Sequence, residues 1–434
     1  MVKAIINVRI YDFVNYIENG YVIFDKKIIA SGPMSLFKNK GYQVIDGKGQ
    51  LLLPGLVCCH THIYSIFARG MSLPFNPHNF QEILDQLWWK MDHYIDNKTT
   101  FYSGVVAARE YMLNGVTTLI DHHASGTDIL SSLENLKKAV VDEAHMRALF
   151  AFETSDRYPV DLAIKENKNF IAKHRDEHVA GLFGLHASMS LSDKTLDLVH
   201  KSLNGAPIHI HVAESDMDEA DCLKKYRERI INRLDRFQLL TPNSLIVHGV
   251  YVNDDELKII KARQVYMVCN TTSNMNNAVG LPNIKNFLNH KIKVLIGNDG
   301  LSSNIANEYV NALFTSHLKN DSPTTLNLGD ILQMINYSYE YVGKMLKIKL
   351  GQIAGEFEAD FMLLPYTPPT KMDQGNAFGH IFYGIFNALK PQEVYASGRR
   401  VVHNYKAVNK RLNRDYDDAH IVADELWNRI KKGE

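Results

Sequence analysis

Along the chain, short apolar runs alternate with stretches whose apolar residues recur every three or four positions. The first pattern reads as strand and the second as helix. From Met1 to about Leu53 the runs AIINVRIY, GYVIFD, KKIIASG and GYQVIDG alternate between turn residues, which predicts a small antiparallel sheet. Leu51 to His62 reads LLLPGLVCCHTH, a nearly continuous apolar run typical of a strand buried on both faces, punctuated by Pro54-Gly55. Seven more strand-like segments follow: VTTLIDHH, RALFAFETSDR, VAGLFGLHAS, APIHIHVAES, SLIVHGV, VYMVCNTTSN and KVLIGNDG. Helical segments separate them, among them TFYSGVVAAREYMLN, which stops at the C′ glycine Gly115, LSDKTLDLVHKSLN and SDMDEADCLKKYRERIINRLDRF. A long insertion, Phe67 to Asn97, carries the helical stretch NFQEILDQLWWKMDHYID, where Trp88 and Trp89 read as core or pocket wall. The tail returns to short strands, GEFEADFMLLPY and EVYASGRRVVHNYKAV, and closes with the helix ADELWNRIKK.

Eight buried strands separated by helices predict an α/β protein with a (β/α)8 TIM-like barrel over residues 54–349. The tail strands are expected to pair with the N-terminal ones. Residues 1–53 and 350–434 then form one small composite β-sandwich domain, with the closing helix at its end. No solenoid repeat or low-complexity segment interrupts this order.

Composition narrows the partners. Lys plus Arg (48) equals Asp plus Glu (48) in 434 residues, so no basic excess points to nucleic acid. No apolar run approaches the ~20 residues of a membrane helix. The N-terminus is too short and interrupted for a signal peptide. Cys58, Cys59, Cys222 and Cys269 show no CxxC spacing; the adjacent pair reads as small core hydrophobes. A reducing, cytoplasmic setting fits these features. The charges of KKYRERIINR read as a solvated helix face.

The chemistry lies at the strand ends. His60 and His62 are two apart on one strand, so both imidazoles share a face. An isolated HxH is as often a packed pair as half of a metal site. Here the other predicted strands also end in polar residues: His122, Glu153, His186, His211, His248, Asn270 and Asp299. In a barrel of this kind the C-terminal strand ends carry the chemistry. His209 and His211 share a face; His211 lies nearer the mouth and is favoured as a ligand, with His209 a deeper hydrogen-bonded core residue. Asp299 reads either as a fourth ligand or as the cap of the next helix. Three histidines and one aspartate leave a position for water, as catalytic rather than structural sites do. Such a metal brings the pKa of bound water to about 7, making water the nucleophile. Glu214 is placed to protonate the atom that gains electrons, and His248 and Asp299 to orient and deprotonate the water. No strand end carries a lysine suited to bridging two metals, so the site reads as mononuclear. The ligand set suits Zn(II) and Fe(II) alike.

HTH at the first strand, HVAE at the fifth, VHG at the sixth and a glycine-flanked Asp at the eighth resemble the amidohydrolase superfamily. The chain is similar over its whole length to the mononuclear aminohydrolase and chlorohydrolase branch. PGLVCCHTHIYS, LWWKMD, DHHAS, FETSDR and SNMNN look like the SsnA-type aminohydrolases in particular, and GEFEADFMLL resembles the family's return to its β domain. The resemblance implies His60, His62, His211 and Asp299 as ligands of one divalent ion, zinc first and Fe(II) second. It implies Glu214 as proton shuttle and His248 as holder of the attacking water or the tetrahedral intermediate. It implies His186, Arg157 and Asn274 as substrate contacts, a small heterocyclic substrate and a homodimer. Two departures stand out: Thr272 where SsnA-type relatives tend to carry Arg, and Asn298 where many deaminases carry Thr.

The expected reaction is hydrolytic deamination of an amino-substituted purine, pyrimidine, pterin or triazine. The same constellation would serve cyclic-amide hydrolysis, as in imidazolone ring opening, or displacement of chloride. A non-catalytic homologue kept as a binding protein would show loss of a ligand, and the sequence retains all four.

Overall fold

The structure is a computed structural model and describes residues 2–433. Eight parallel strands form where the apolar runs predict them: β1 (Leu56–Thr61), β2 (Val116–His123), β3 (Arg147–Phe152), β4 (Val179–Gly181 and Phe183–Ala187), β5 (Ile208–Val212), β6 (Leu245–His248), β7 (Tyr266–Cys269) and β8 (Val294–Ile296). Every residue in them is buried, which is why they read as continuous apolar runs rather than alternating ones. They lie in two parallel sheets. One holds β1 to β3 and the first half of β4; the other holds the second half of β4 and β5 to β8. A bridge between Thr154 and Leu185 joins the two at β4. At the opposite edges, the Asn298 N–H just past β8 donates to the His60 carbonyl of β1 at 2.9 Å.

The run Leu51–His62 is not one strand. It divides at Gly55, and Leu51–Pro54 pairs instead with Lys3–Tyr11 and with the tail strand Phe361–Leu364. A side chain at Gly55 would stand 2.4 Å from Thr117, so only glycine lets the chain cross from one sheet to the other here. The strands of both ends form a single nine-stranded sheet. On the tail side it contains Phe361–Leu364, Glu393–Ala396, Arg399–His403 and Lys406–Ala407.

Helix boundaries follow the caps. Asp96 accepts from the Thr99 N–H at 2.7 Å and starts the helix Asn97–Leu113; Gly115, at φ 77°, lies just beyond its end. The stretch expected as one helix after His211 is two, Asp216–Tyr226 and Ile230–Arg236, because Arg227 turns left-handed at φ 62°. The closing helix is longer than expected, Lys410–Lys432. Its first half is mostly charged and hides its stripe, but Leu412, Ala419, Val422, Leu426 and Ile430 are buried along one face. At the N-terminal end of β3, Arg147 is fully buried and pairs with Glu358 at 2.6 Å and Asp360 at 2.9 Å. That pairing clamps the base of the parallel strands to the tail.

Candidate metal centre and active site

His60, His62, His211 and Asp299 each place one donor atom in a group spanning no more than 4.8 Å. His60 Nε2 is 2.9 Å and His62 Nε2 3.2 Å from Asp299 Oδ1, and His62 Nε2 is 3.1 Å from His211 Nε2. Ligands held about 2.0–2.1 Å from a tetrahedral zinc stand about 3.3 Å apart, so these spacings match a metal's ligand shell.

The outer nitrogens explain why the inner ones converge. His62 Nδ1 donates to the His122 carbonyl at 2.7 Å, and His211 Nδ1 to the His186 carbonyl at 3.0 Å. His60 Nδ1 lies 2.8 Å from Nε2 of His209. With all three Nδ1–H groups committed outward, three Nε2 lone pairs face one point. His209 is thus one layer deeper than His211, fully buried behind His60.

Asp299 sits at φ 58°, past Gly297. A Cβ at Gly297 would meet the His60 carbonyl at 2.7 Å and Asn270 Oδ1 at 2.5 Å, so this glycine lets β8 approach β1 and bring the aspartate over His60. Ser273 Oγ donates to Asp299 Oδ2 at 2.6 Å, leaving Oδ1 for the histidines. Burial alone would raise the Asp299 carboxyl, but the hydrogen bonds from His60 and His62 hold it well below the usual range. Burial pulls His62 down, yet Asp299 lifts it to about 9. Without a cation a proton therefore rests between these two groups, and an ion binding there displaces it.

Across the cleft, burial, with the Asp299 charge beside it, pushes Glu214 well above the ordinary carboxylate value. Its Oε2 is 3.4 Å from His248 Nε2, and its Oε1 accepts from Asn277 Nδ2 at 3.4 Å. His248, at the left-handed φ of 72° before Gly249, takes a hydrogen bond at Nδ1 from Asn274 Nδ2, 2.9 Å away. Its Nε2–H then lies on the Glu214 side, 3.4 Å from Oε2.

The remaining sequence-derived residues divide. His186 lines the cavity; its Nδ1 donates to Ser190 Oγ at 2.6 Å, so Nε2 is turned inward. Arg157 and Asn274 are not among the cavity-lining residues. Asn274 is buried behind His248, and Arg157 lies behind Trp89, bound to Glu153 and, at 3.0 Å, to Asp92. Thr272 faces Glu308 and Asn311, and Asn298 bonds Tyr111, so neither departure from the relatives opens on the cavity. Sequence reasoning missed Tyr64, Met189 and Asp92 in the cavity wall. The insertion offered a signal: Phe80, Leu84, Trp88 and Asp92 recur every four residues along the helical stretch Phe80–Tyr94. The inner cavity of about 70 Å³ shares Ser65, Phe80, Trp88, Asn277 and Leu301 with an adjoining groove of about 790 Å³.

A family model described as the amidohydrolase family matches residues 51–401. The chain belongs to the amidohydrolase family. This amidohydrolase is 26% identical over 444 residues to the 5′-deoxyadenosine deaminase of Methanococcus vannielii, with 99% of each chain covered. In three dimensions it resembles an adenosine deaminase from Xanthomonas campestris with bound zinc, at a TM-score of 0.85 and 18% identity, covering 99% of this chain and 98% of that one. It also resembles the zinc-complexed atrazine chlorohydrolase of Arthrobacter aurescens, at a TM-score of 0.81 and 18% identity over 97% and 99% of the two chains.

Proposed function

We propose that this amidohydrolase is a metal-dependent aminohydrolase that replaces the amino group on a ring carbon of a small heterocycle with oxygen, releasing ammonia. The observation that carries it is the convergence of three imidazole Nε2 atoms and one carboxylate oxygen beside the Glu214–His248 pair. The donor set fits one divalent ion, held by His60, His62, His211 and Asp299. Zinc is the first choice and Fe(II) the second. When bound, such an ion supplies Lewis acidity and brings the pKa of a water to about 7.

The chain's own groups do the rest. Asp299 accepts a proton from the attacking water, and the His248 Nε2–H donates to the oxygen as it adds to the ring carbon. Glu214, kept protonated by its burial, passes its proton to the ring nitrogen. Returning protons to the amine lets ammonia leave. His186 lines the ring slot, with Arg157 and Asn274 acting through Asp92 and His248. The small inner cavity and wide adjoining groove fit a ring that carries a substituent, as in the nucleosides named for the relatives above.

The test is ammonia release by metal-analysed protein from amino-purines and their nucleosides, amino-pyrimidines, pterins and triazines. Release that scales with bound metal and favours one ring type is expected. No release from any of them, with metal fully loaded, would move the assignment to cyclic-amide hydrolysis or dechlorination.

The same proposal takes residues 54–349 as a closed (β/α)8 barrel, and 1–53 with 350–434 as one composite β-sandwich domain. In support, the Asn298–His60 hydrogen bond spans the open edges, and Ile5, Val22, Phe24, Phe361 and Tyr395 from both ends share a separate apolar cluster. A homodimer in the cytoplasm completes it. The four cysteines are buried and unpaired, as a reducing compartment allows, and no helix among the described residues is long and apolar enough to cross a membrane.

A further inference from the structure

At the ends of the strands opposite the metal centre, the turns into β6, β7 and β8 surround another cavity, about 280 Å³ in volume. Its walls contain four lysines, Lys261, Lys291, Lys293 and Lys344, and no carboxylate. The whole chain has as many acidic as basic residues, so four cations around one small space are a local excess. One acid answers them from outside the lining. Glu340, on the helix Leu328–Leu346, pairs with Lys293 at 2.5 Å and Lys344 at 2.8 Å. Lys261 donates only to a backbone carbonyl, that of Lys291 at 3.0 Å, and among the described residues no carboxylate pairs with Lys261 or Lys291. Three positive charges are left without a partner. A helix C-terminus favours lysine, which accounts for Lys261 and Lys344, each in a last turn. It does not account for Lys291 and Lys293, which lie between the helix Ile284–Asn289 and β8. The floor adds a donor. Tyr266 is 3% exposed, and its hydroxyl accepts from Lys344 Nζ at 3.0 Å, so its own proton meets no acceptor among the described residues. Beside it the Tyr341 hydroxyl donates to the Asn243 carbonyl at 3.1 Å, which ties the floor to the turn before β6.

We propose that this cavity is a second ligand site, which binds a small phosphate-bearing anion between the four lysines and the Tyr266 hydroxyl. Ammonium groups on flexible stems act as point charges that gather around phosphate oxygens. Two linked phosphates match the three free charges. The volume, at the lower end of the range for ligand pockets, suits a diphosphate group rather than a large ligand. The site lies away from the reacting groups, so its occupant stabilises the folded chain by mass action and takes no part in the chemistry. The proposal stands independently of the deamination argued above.

The experiment titrates the metal-loaded protein with sodium diphosphate in a calorimeter, at low and at physiological ionic strength. Wild-type protein is expected to bind it at this site and to bind more weakly as salt is added. The double variant Lys261→Gln, Lys291→Gln removes two donors that hold no other side chain. Its affinity should fall about tenfold or more, with metal content and turnover unchanged. Glu340→Gln frees Lys293 and Lys344 for the anion, so its affinity should rise, which a merely structural role for these residues would not produce. UDP, a diphosphate on a ring without an amine, separates the sources: tighter binding than diphosphate marks a phosphorylated metabolite and weaker binding the inorganic anion, and either supports the site. No binding of diphosphate by wild-type protein overturns the proposal. So does equal affinity in the wild type and the double variant, which places the anion at the metal centre or elsewhere. Binding of single-stranded RNA without binding of diphosphate also overturns it, in favour of a nucleic-acid surface.

Discussion

His60 hands its outer nitrogen to His209: Nδ1 of the first lies 2.8 Å from Nε2 of the second. The deeper histidine orients a ligand without being one. His209→Ala is expected to weaken metal binding about 10- to 100-fold, the usual effect of losing such a partner. His211→Ala removes a donor atom and should abolish stoichiometric binding. Competition with a chelator on metal-free protein measures both. Full metal binding in His211→Ala, together with its loss in His209→Ala, would reverse the two roles.

Glu214→Gln preserves size and removes the proton. Its kcat should fall about 10²- to 10⁴-fold, with metal content unchanged by elemental analysis. Turnover equal to wild type would take Glu214 out of the reaction.

Two buried histidines should each cost the metal-free protein stability in acid. Burial lowers His123 to about 3 and His248 to about 4, so both stay neutral in the folded chain while their unfolded counterparts titrate at 6.5. Below 6.5 the unfolded state takes up protons that the folded state refuses. Their contribution is thus complete above about 6.5 and falls as pH drops toward 4, by ~1.4 kcal/mol per unit for each of the two. His62 acts in the opposite direction: Asp299 lifts it to about 9, so its contribution is present below 6.5 and lost as pH rises through 9. Because buried acids raised to about 7, such as Asp121 and Glu308, act in the opposite direction, the histidine effect is read by difference: between pH 7.5 and 5 the urea midpoint of wild type should fall relative to that of His123→Asn, and parallel profiles contradict a buried neutral His123.

Arg147 is the counter-charge for two buried acids, Glu358 and Asp360. Arg147→Met should cost about 3–5 kcal/mol because it leaves buried Asp360 without a counter-charge and Glu358 with only the half-exposed Lys27, 3.7 Å away. Adding Glu358→Gln and Asp360→Asn should restore much of that. Denaturant melts of the single and triple variants check this, and kcat of the folded fraction should not move, since the clamp sits at the strand ends opposite the cleft.

The donor set was legible because a strand's period of two fixes which face His60 and His62 share, and because the eight apolar runs fix where each strand ends. Arg157 and Asn274 were legible as members of the neighbourhood but not by direction. Each lies one layer behind the cavity, and a sequence does not say which of two nearby polar groups faces inward. Asp92 escaped because its stripe has helical spacing within an insertion, and tertiary packing decided which face met the cleft. The break at Arg227 and the charged first half of the last helix show the same limit: burial, not local propensity, settled them.

The pairing of Leu51–Pro54 with Phe361–Leu364 joins residues about 300 positions apart. At a synthesis rate of about 5–20 residues per second, the early strand waits ~15–60 s for its partner to be made. Throughout that interval an apolar edge is open to any other extended chain. The protein's exposure to misassembly is therefore concentrated during translation, and it ends only when the last fifth of the chain leaves the ribosome.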